Sequence, residues 1–186
     1  MSSQRQPCTA SSRHIYLSQY PGFLHPYIDD IIDVGDDGNC GFRAIAALLG
    51  WGEKSWTLIQ TQLDTQIHQL PKLFSKLFYD TVDEVRNSLK VEHLGVQGRE
   101  KWMTIPDMGY PIATRYNVVF VSLSMTLNNT FFPLTIAPSM YTSRHKIIVV
   151  GFVNNNHWVQ VKLKPDSPLP PVTDRWRQNC TEDAKA

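Results

Sequence analysis

The sequence predicts one domain of α/β (α+β) class, and two observations carry the reading. Residues 42–89 and 112–116 place apolar side chains at helical spacing, whereas residues 118–123 and 146–163 form β-branched runs broken by three asparagines. At 186 residues, with 42% hydrophobic and 19% charged, the chain is long enough to bury one core and ordinary enough to be globular.

Residues 1–20 are polar, aperiodic and rich in Ser and Gln, so they are predicted to be a disordered tail ahead of a domain spanning 21–165. Leu24 to Asp33 sets Tyr27, Ile28, Ile31 and Ile32 among aspartates and reads as a short apolar segment leading into the turn Asp33 to Asn39. Phe42, Ile45, Ala46 and Leu49 then recur at i, i+3, i+4 and i+7, which makes Cys40 the start of a helix with one buried face. Ser55 is placed to cap a second helix carrying Ile59, Leu63, Ile67 and Leu70 as far as Pro71, followed by a short amphipathic turn through Phe78. Thr81 and Glu84 have capping-box spacing ahead of Val82, Val85 and Leu89.

Val91 to Arg99 is glycine-bearing and polar and reads as a loop, and a short helix around Ile112 to Tyr116 is closed by Asn117. Val118 to Leu123 is a buried strand; Thr130 to Ile136 is a second strand held towards an edge by Pro133. Lys146 to Val153 and His157 to Leu163 form a β-hairpin, because asparagine tolerates the positive φ of its turn. Four prolines between 165 and 171 end the regular structure and leave residues 166–186 as a Pro-rich, then polar tail, with Trp176 free to dock back.

Lys and Arg number 18 against 17 Asp and Glu, giving a formal charge of +1 with no long run of either sign. This argues against a nucleic-acid binder and against a membrane-surface protein. No apolar run approaches the roughly 18 residues of a spanning helix, and no h-region follows Met1, so an intracellular protein, cytoplasmic or nuclear, is expected. Cys8, Cys40 and Cys180 form neither a disulfide framework nor a zinc pattern. No phosphate-binding glycine fingerprint or metal-ligand spacing is present, so neither cofactor nor metal is expected, and the chain is expected to act as a monomer.

Cys40 at a helix N-terminus sits among unpaired N–H groups and the positive end of the helix dipole, a setting that favours an anion. In the last strand His157 shares a face with Val159, Val161 and Leu163, so its ring points inward at the strand's mouth. Taken singly, each has a second reading, a buried structural thiol and a satisfied core histidine. Together they supply the nucleophile and the imidazole of a thiol hydrolase, and the Asp37-Gly38-Asn39 turn offers backbone donors for an oxyanion.

Asp37-Gly38-Asn39-Cys40-Gly41-Phe42-Arg43-Ala44 resembles the D-G-N-C-x-F-R-A signature of ovarian-tumour (OTU) domain cysteine proteases, and Asn156-His157-Trp158 resembles that family's His-aromatic motif. The chain looks closest to plant OTU-like proteins, some associated with Mutator-like transposable elements, on stretches such as Pro106 to Tyr110, Arg115 to Val119 and Gly151 to Asn154. The resemblance implies a papain-like OTU fold, with a small central, mostly antiparallel sheet flanked by helices. It also implies a deubiquitinase that cleaves after the C-terminal glycine of ubiquitin or a ubiquitin-like modifier. Cys40 would be the nucleophile, His157 the general base and acid, and Asp37 a member of the catalytic site. Gly38, Asn39 and Gly41 would form the oxyanion turn. Trp158, Trp102 and Tyr110 would line the channel for the modifier's tail.

Two positions depart from the pattern. Many family members orient the histidine with Asn or Asp two residues after it, and here that residue is Val159, which leaves Asp37, Asp33 and Asn155 as candidates. Gly41 stands where many members carry a larger side chain. A fold that binds the modifier without turnover is the alternative reading.

Overall fold

The computed structural model describes residues 11–136 and 146–185. After a one-turn helix α1 (Arg13–Tyr16) and short 3₁₀ turns, the chain forms strand β1 (Ile28–Ile32). Helices α2 (Cys40–Leu48), α3 (Trp56–Gln69), α4 (Pro71–Phe78), α5 (Val82–Leu89) and α6 (Gly109–Tyr116) follow. The chain then lays down β2 (Val119–Leu123), β3 (Asn129–Phe131), β4 (Ile147–Val153) and β5 (His157–Leu163), and closes with α7 (Asp174–Asn179) and α8 (Glu182–Lys185).

The strands make one five-stranded sheet in the order β1-β5-β4-β2-β3. Only the β2–β4 pair is parallel among the described strands; β1–β5, β4–β5 and β2–β3 are antiparallel. Alternation along the strands gives the sheet two apolar faces. Phe120, Ile148, Val150 and Trp158 join the larger core with α2, α3, α5 and α6. Val119, Val121, Val149, Val159 and Val161 point the other way, onto Tyr16, Tyr20 and Leu24.

This second core corrects the reading of residues 1–20 as a tail, as far as residues 11–20 are concerned; residues 1–10 lie outside the described part. Tyr16 and Tyr20 supply the aromatic cover that the inner valines need, a pairing invisible from a polar local composition. The C-terminal segment, read as a tail from which Trp176 could dock back, does return to the domain. Thr130 N–H donates to Pro171 O at 3.1 Å, Trp176 Nε1 donates to Pro133 O at 2.9 Å, and Thr181 N–H donates to Leu134 O at 2.8 Å. Prolines end the sheet, yet their carbonyls still accept.

Helix starts depart from the expected capping chemistry. The Ser55 hydroxyl donates back to Trp51 O at 3.0 Å and Thr81 Oγ1 to Phe78 O at 2.7 Å, so neither caps the helix that follows. A 3₁₀ turn before each helix occupies the hydroxyl. Asn117 does end α6 in the left-handed conformation at φ 49°, and Asn154 and Asn155 take φ 54° and 58° in the β4–β5 turn.

Ile31 is fully buried between β5 and the N-terminal segment. Ile31→Ala is expected to lower unfolding stability by about 2–5 kcal/mol in urea titration. A loss below about 1 kcal/mol would show that the second core is loose.

Candidate active site

Cys40 opens α2 directly after the turn Asp36-Asp37-Gly38-Asn39. The turn is held from outside. Gly38 has φ 81°, and a Cβ there would lie 2.5 Å from Gln97 O and 2.9 Å from Trp102 Nε1. Only glycine fits both the backbone and the space. Gln97 N–H donates to Asp37 O at 2.9 Å and Trp102 Nε1 donates to Gln97 O at 3.3 Å, so the segment after α5 clamps the turn.

His157 begins β5, and the sheet brings its acid to it. In the β1–β5 register Ile32 lies opposite Gln160, so Asp33, one residue beyond β1, falls beside the start of β5. His157 Nε2 and Asp33 Oδ1 are 2.7 Å apart. Asp33 Oδ1 also accepts the Val34 N–H at 2.9 Å, and Oδ2 accepts the Tyr16 hydroxyl at 3.0 Å. Asp33 therefore takes the orienting place that Val159 cannot fill.

Across the ring, the Trp158 N–H donates to Cys40 Sγ at 3.3 Å, which ties the thiol to the residue after the histidine. With Nε2 given to Asp33, Nδ1 is the nitrogen left for chemistry. It has no hydrogen-bond partner among the described residues, and Asp36 Oδ1 lies 3.6 Å away. Burial disfavours the imidazolium, but neighbouring Cys40, the hydrogen bond to Asp33 and the charge of its carboxylate outweigh burial and push the His157 pKa up to about 9. Burial likewise pushes Asp33 up, and bonds from His157, Val34 and Tyr16 with the imidazolium charge bring it below the usual carboxylate range. Cys40 is 4% and His157 3% exposed.

Asp37 is brought elsewhere. Its carboxylate accepts a two-pronged fork from Arg43, Nε at 3.0 Å and Nη2 at 2.6 Å, and the Asn39 N–H at 3.1 Å. Burial raises its pKa, but these donors more than offset that and hold it low. Asp37 thus folds the turn back on α2, and no hydrogen bond links it to His157. The Asn39 N–H, expected to face an oxyanion, is spent on Asp37; the first-turn N–H groups of Cys40 and Gly41 have no intrahelical acceptor to satisfy. The Asn39 amide is fully buried and finds no partner among the described residues. Asn155 is exposed in the hairpin turn.

Gly41 is explained by Met103. A Cβ at Gly41 would stand 2.6 Å from Met103 Cβ and 2.7 Å from its Cε, so the methionine fills the room a larger side chain would take. Of the three channel candidates, Trp102 lies over the Gly38 turn, partly exposed. Trp158 is buried against Phe152, its Nε1 donating to Met103 O at 3.1 Å. Tyr110 does not line a channel: it is 1% exposed, packed edge-on against Phe131, with its hydroxyl bonded to Thr173. An apolar helix face claimed the ring. The parts that Tyr16, Gln97 and Met103 play are not legible in the sequence, because no local pattern marks a residue whose role is to meet one far along the chain. Among the described residues no group of three His, Cys, Asp or Glu is placed to hold a metal ion.

No protein-family model matches the sequence, and no curated protein is significantly similar to it. Solved structures are. The OTU domain of human OTUD1 superposes with a TM-score of 0.54 at 18% identity, covering 71% of this chain and 84% of that one. The viral OTU domain protease from Dera Ghazi Khan virus gives 0.51 at 14% identity, covering 76% and 84%. The fold is an OTU-domain fold. Its sheet and helices are those the resemblance implied.

Gly41→Ala is expected to cost about 1–3 kcal/mol by overpacking. In the background of Met103→Gly that cost should shrink by about 1 kcal/mol or more in a double-mutant cycle of urea stabilities. Strictly additive losses would contradict the Gly41–Met103 fit.

Proposed function

We propose that the protein is an OTU-type deubiquitinase, a thiol hydrolase acting on isopeptide or peptide bonds after the C-terminal glycine of ubiquitin or a ubiquitin-like modifier. The observation that carries this reading is one buried imidazole with Asp33 on Nε2 and the Cys40 thiol beside it. A core histidine needs a hydrogen-bond partner; it does not need a helix-terminal cysteine as well. The fold shared with a viral OTU domain protease supports the same reading. The likeness to plant OTU-like proteins of Mutator-like elements rests on the sequence stretches quoted above.

The reaction follows from the arrangement. Cys40 Sγ attacks the carbonyl carbon of the modifier's last glycine, and N–H groups at the start of α2 hold the oxyanion. His157 donates its Nδ1 proton to the leaving lysine amine as the C–N bond breaks, leaving a thioester on Sγ. Water then gives a proton to the neutral ring while its oxygen attacks the thioester, and the modifier's carboxylate and the thiolate are released. A nucleophile as covered as Cys40 admits only a slender backbone, which a glycine-ended tail provides.

A ubiquitin C-terminal electrophile is expected to form a covalent adduct with the wild-type protein under reducing conditions and none with Cys40→Ala. Absence of the wild-type adduct, or equal labelling of both, would remove the catalytic reading. Because His157 must be protonated to release the amine, turnover is expected to fall as pH rises through about 9. A rate still climbing at pH 10 would exclude His157 as the acid.

A further inference from the structure

The N-terminal segment reaches the site from behind. Ser12 N–H donates to Ile31 O at 2.7 Å, and Ser11 bridges to Ile32, so the chain runs along the edge of β1 that faces away from β5. Tyr16 then buries its ring in the second core, 8% exposed, and gives its hydroxyl to Asp33 Oδ2. Three residues on, the Gln19 amide grips Asn154 at two points: Nε2 donates to Asn154 Oδ1 at 2.8 Å, and Asn154 N–H donates to Gln19 Oε1 at 2.6 Å. Asn154 is the first residue of the left-handed turn that delivers His157.

Taking Cys40 and His157 as the working pair proposed above, we infer that the segment Arg13–Gln19 is a positioning strap for the imidazole. It fixes both things that aim the ring: Tyr16 holds the acid behind Nε2, and Gln19 holds the hairpin that carries the histidine. Without the Tyr16 hydroxyl, Asp33 Oδ2 has no protein donor among the described residues, and the carboxylate is free to turn about the Val34 N–H. The groups that face His157 are Asp33, Asp36 and Cys40, with the Trp158 N–H on the thiol; the strap touches only the first directly. Burial, the bond to Asp33 and the charges of Asp33 and Asp36 push the Tyr16 phenol up, so it remains a neutral donor throughout the working range.

The test uses the full chain and needs no modifier. Iodoacetamide alkylation of Cys40, followed on its own peptide by mass spectrometry at pH 7, reports the thiol–imidazole pair, and carbon-13 NMR of the Asp33 carboxyl reports the acid. Tyr16→Phe keeps the buried ring and is expected to raise the Asp33 titration midpoint and slow alkylation about threefold to tenfold, the worth of one hydrogen bond. Gln19→Ala, a change on the surface, is expected to slow alkylation about threefold and leave Asp33 titrating as before. If Tyr16→Phe fails to fold, Gln19→Ala decides alone. Alkylation at the wild-type rate in a folded variant of either residue overturns the strap. A wild-type chain that cleaves no ubiquitin conjugate, yet shows these shifts, sinks the deubiquitinase reading and leaves the strap standing.

Discussion

The contact between His157 Nε2 and Asp33 Oδ1 is the constraint on which the site depends, and it is a product of sheet order. β1 sits at the edge and pairs antiparallel with β5, so the end of one strand meets the start of the other. The residue that follows β1 must therefore face the residue that begins β5. An acid at 33 and an imidazole at 157 are brought together by the same hydrogen bonds that build the edge of the sheet. That geometry removes the need for a polar residue two places after the histidine, where Val159 instead fills the second core.

A buried imidazole would ordinarily give up its proton, because burial penalises the charged ring. Here Cys40 and Asp33 outweigh burial and push the ring's pKa up to about 9. The thiol side is built with comparable economy of space. Gly38 lets the Gln97 carbonyl and the Trp102 indole close over the turn, Gly41 lets Met103 close under it, and the Asp37–Arg43 fork fixes the loop to its own helix. Asp37 thus serves the backbone around Cys40, while Asp33 serves the imidazole. Two acids four residues apart divide the work.

Much of this was legible in the residues. Helical spacing after Cys40, the β-branched runs and the three asparagines placed the Cys40 helix and the His157 hairpin, since those signals lie within a few residues of one another. The residue that orients the imidazole was legible only as a choice among Asp33, Asp37 and Asn155, because register between strands over 120 residues apart is set by the whole sheet. Residues 11–20 read as a tail for the same reason: Tyr16 and Tyr20 stand in a short, mostly polar stretch, and the valines they cover lie far away in sequence. Tyr110 read as channel-lining because it neighbours the Trp102 loop, yet the amphipathic face of α6 turns it inward onto Phe131.

The central claim, that Asp33 and not Asp37 governs the imidazole, is tested most directly by titrating the His157 ring by NMR in the wild-type chain and in two variants. The structure predicts a wild-type midpoint near 9, a fall towards the ordinary 6.5 in Asp33→Asn, and little change in Asp37→Asn. A midpoint that drops in Asp37→Asn and holds in Asp33→Asn would contradict the arrangement described for this site.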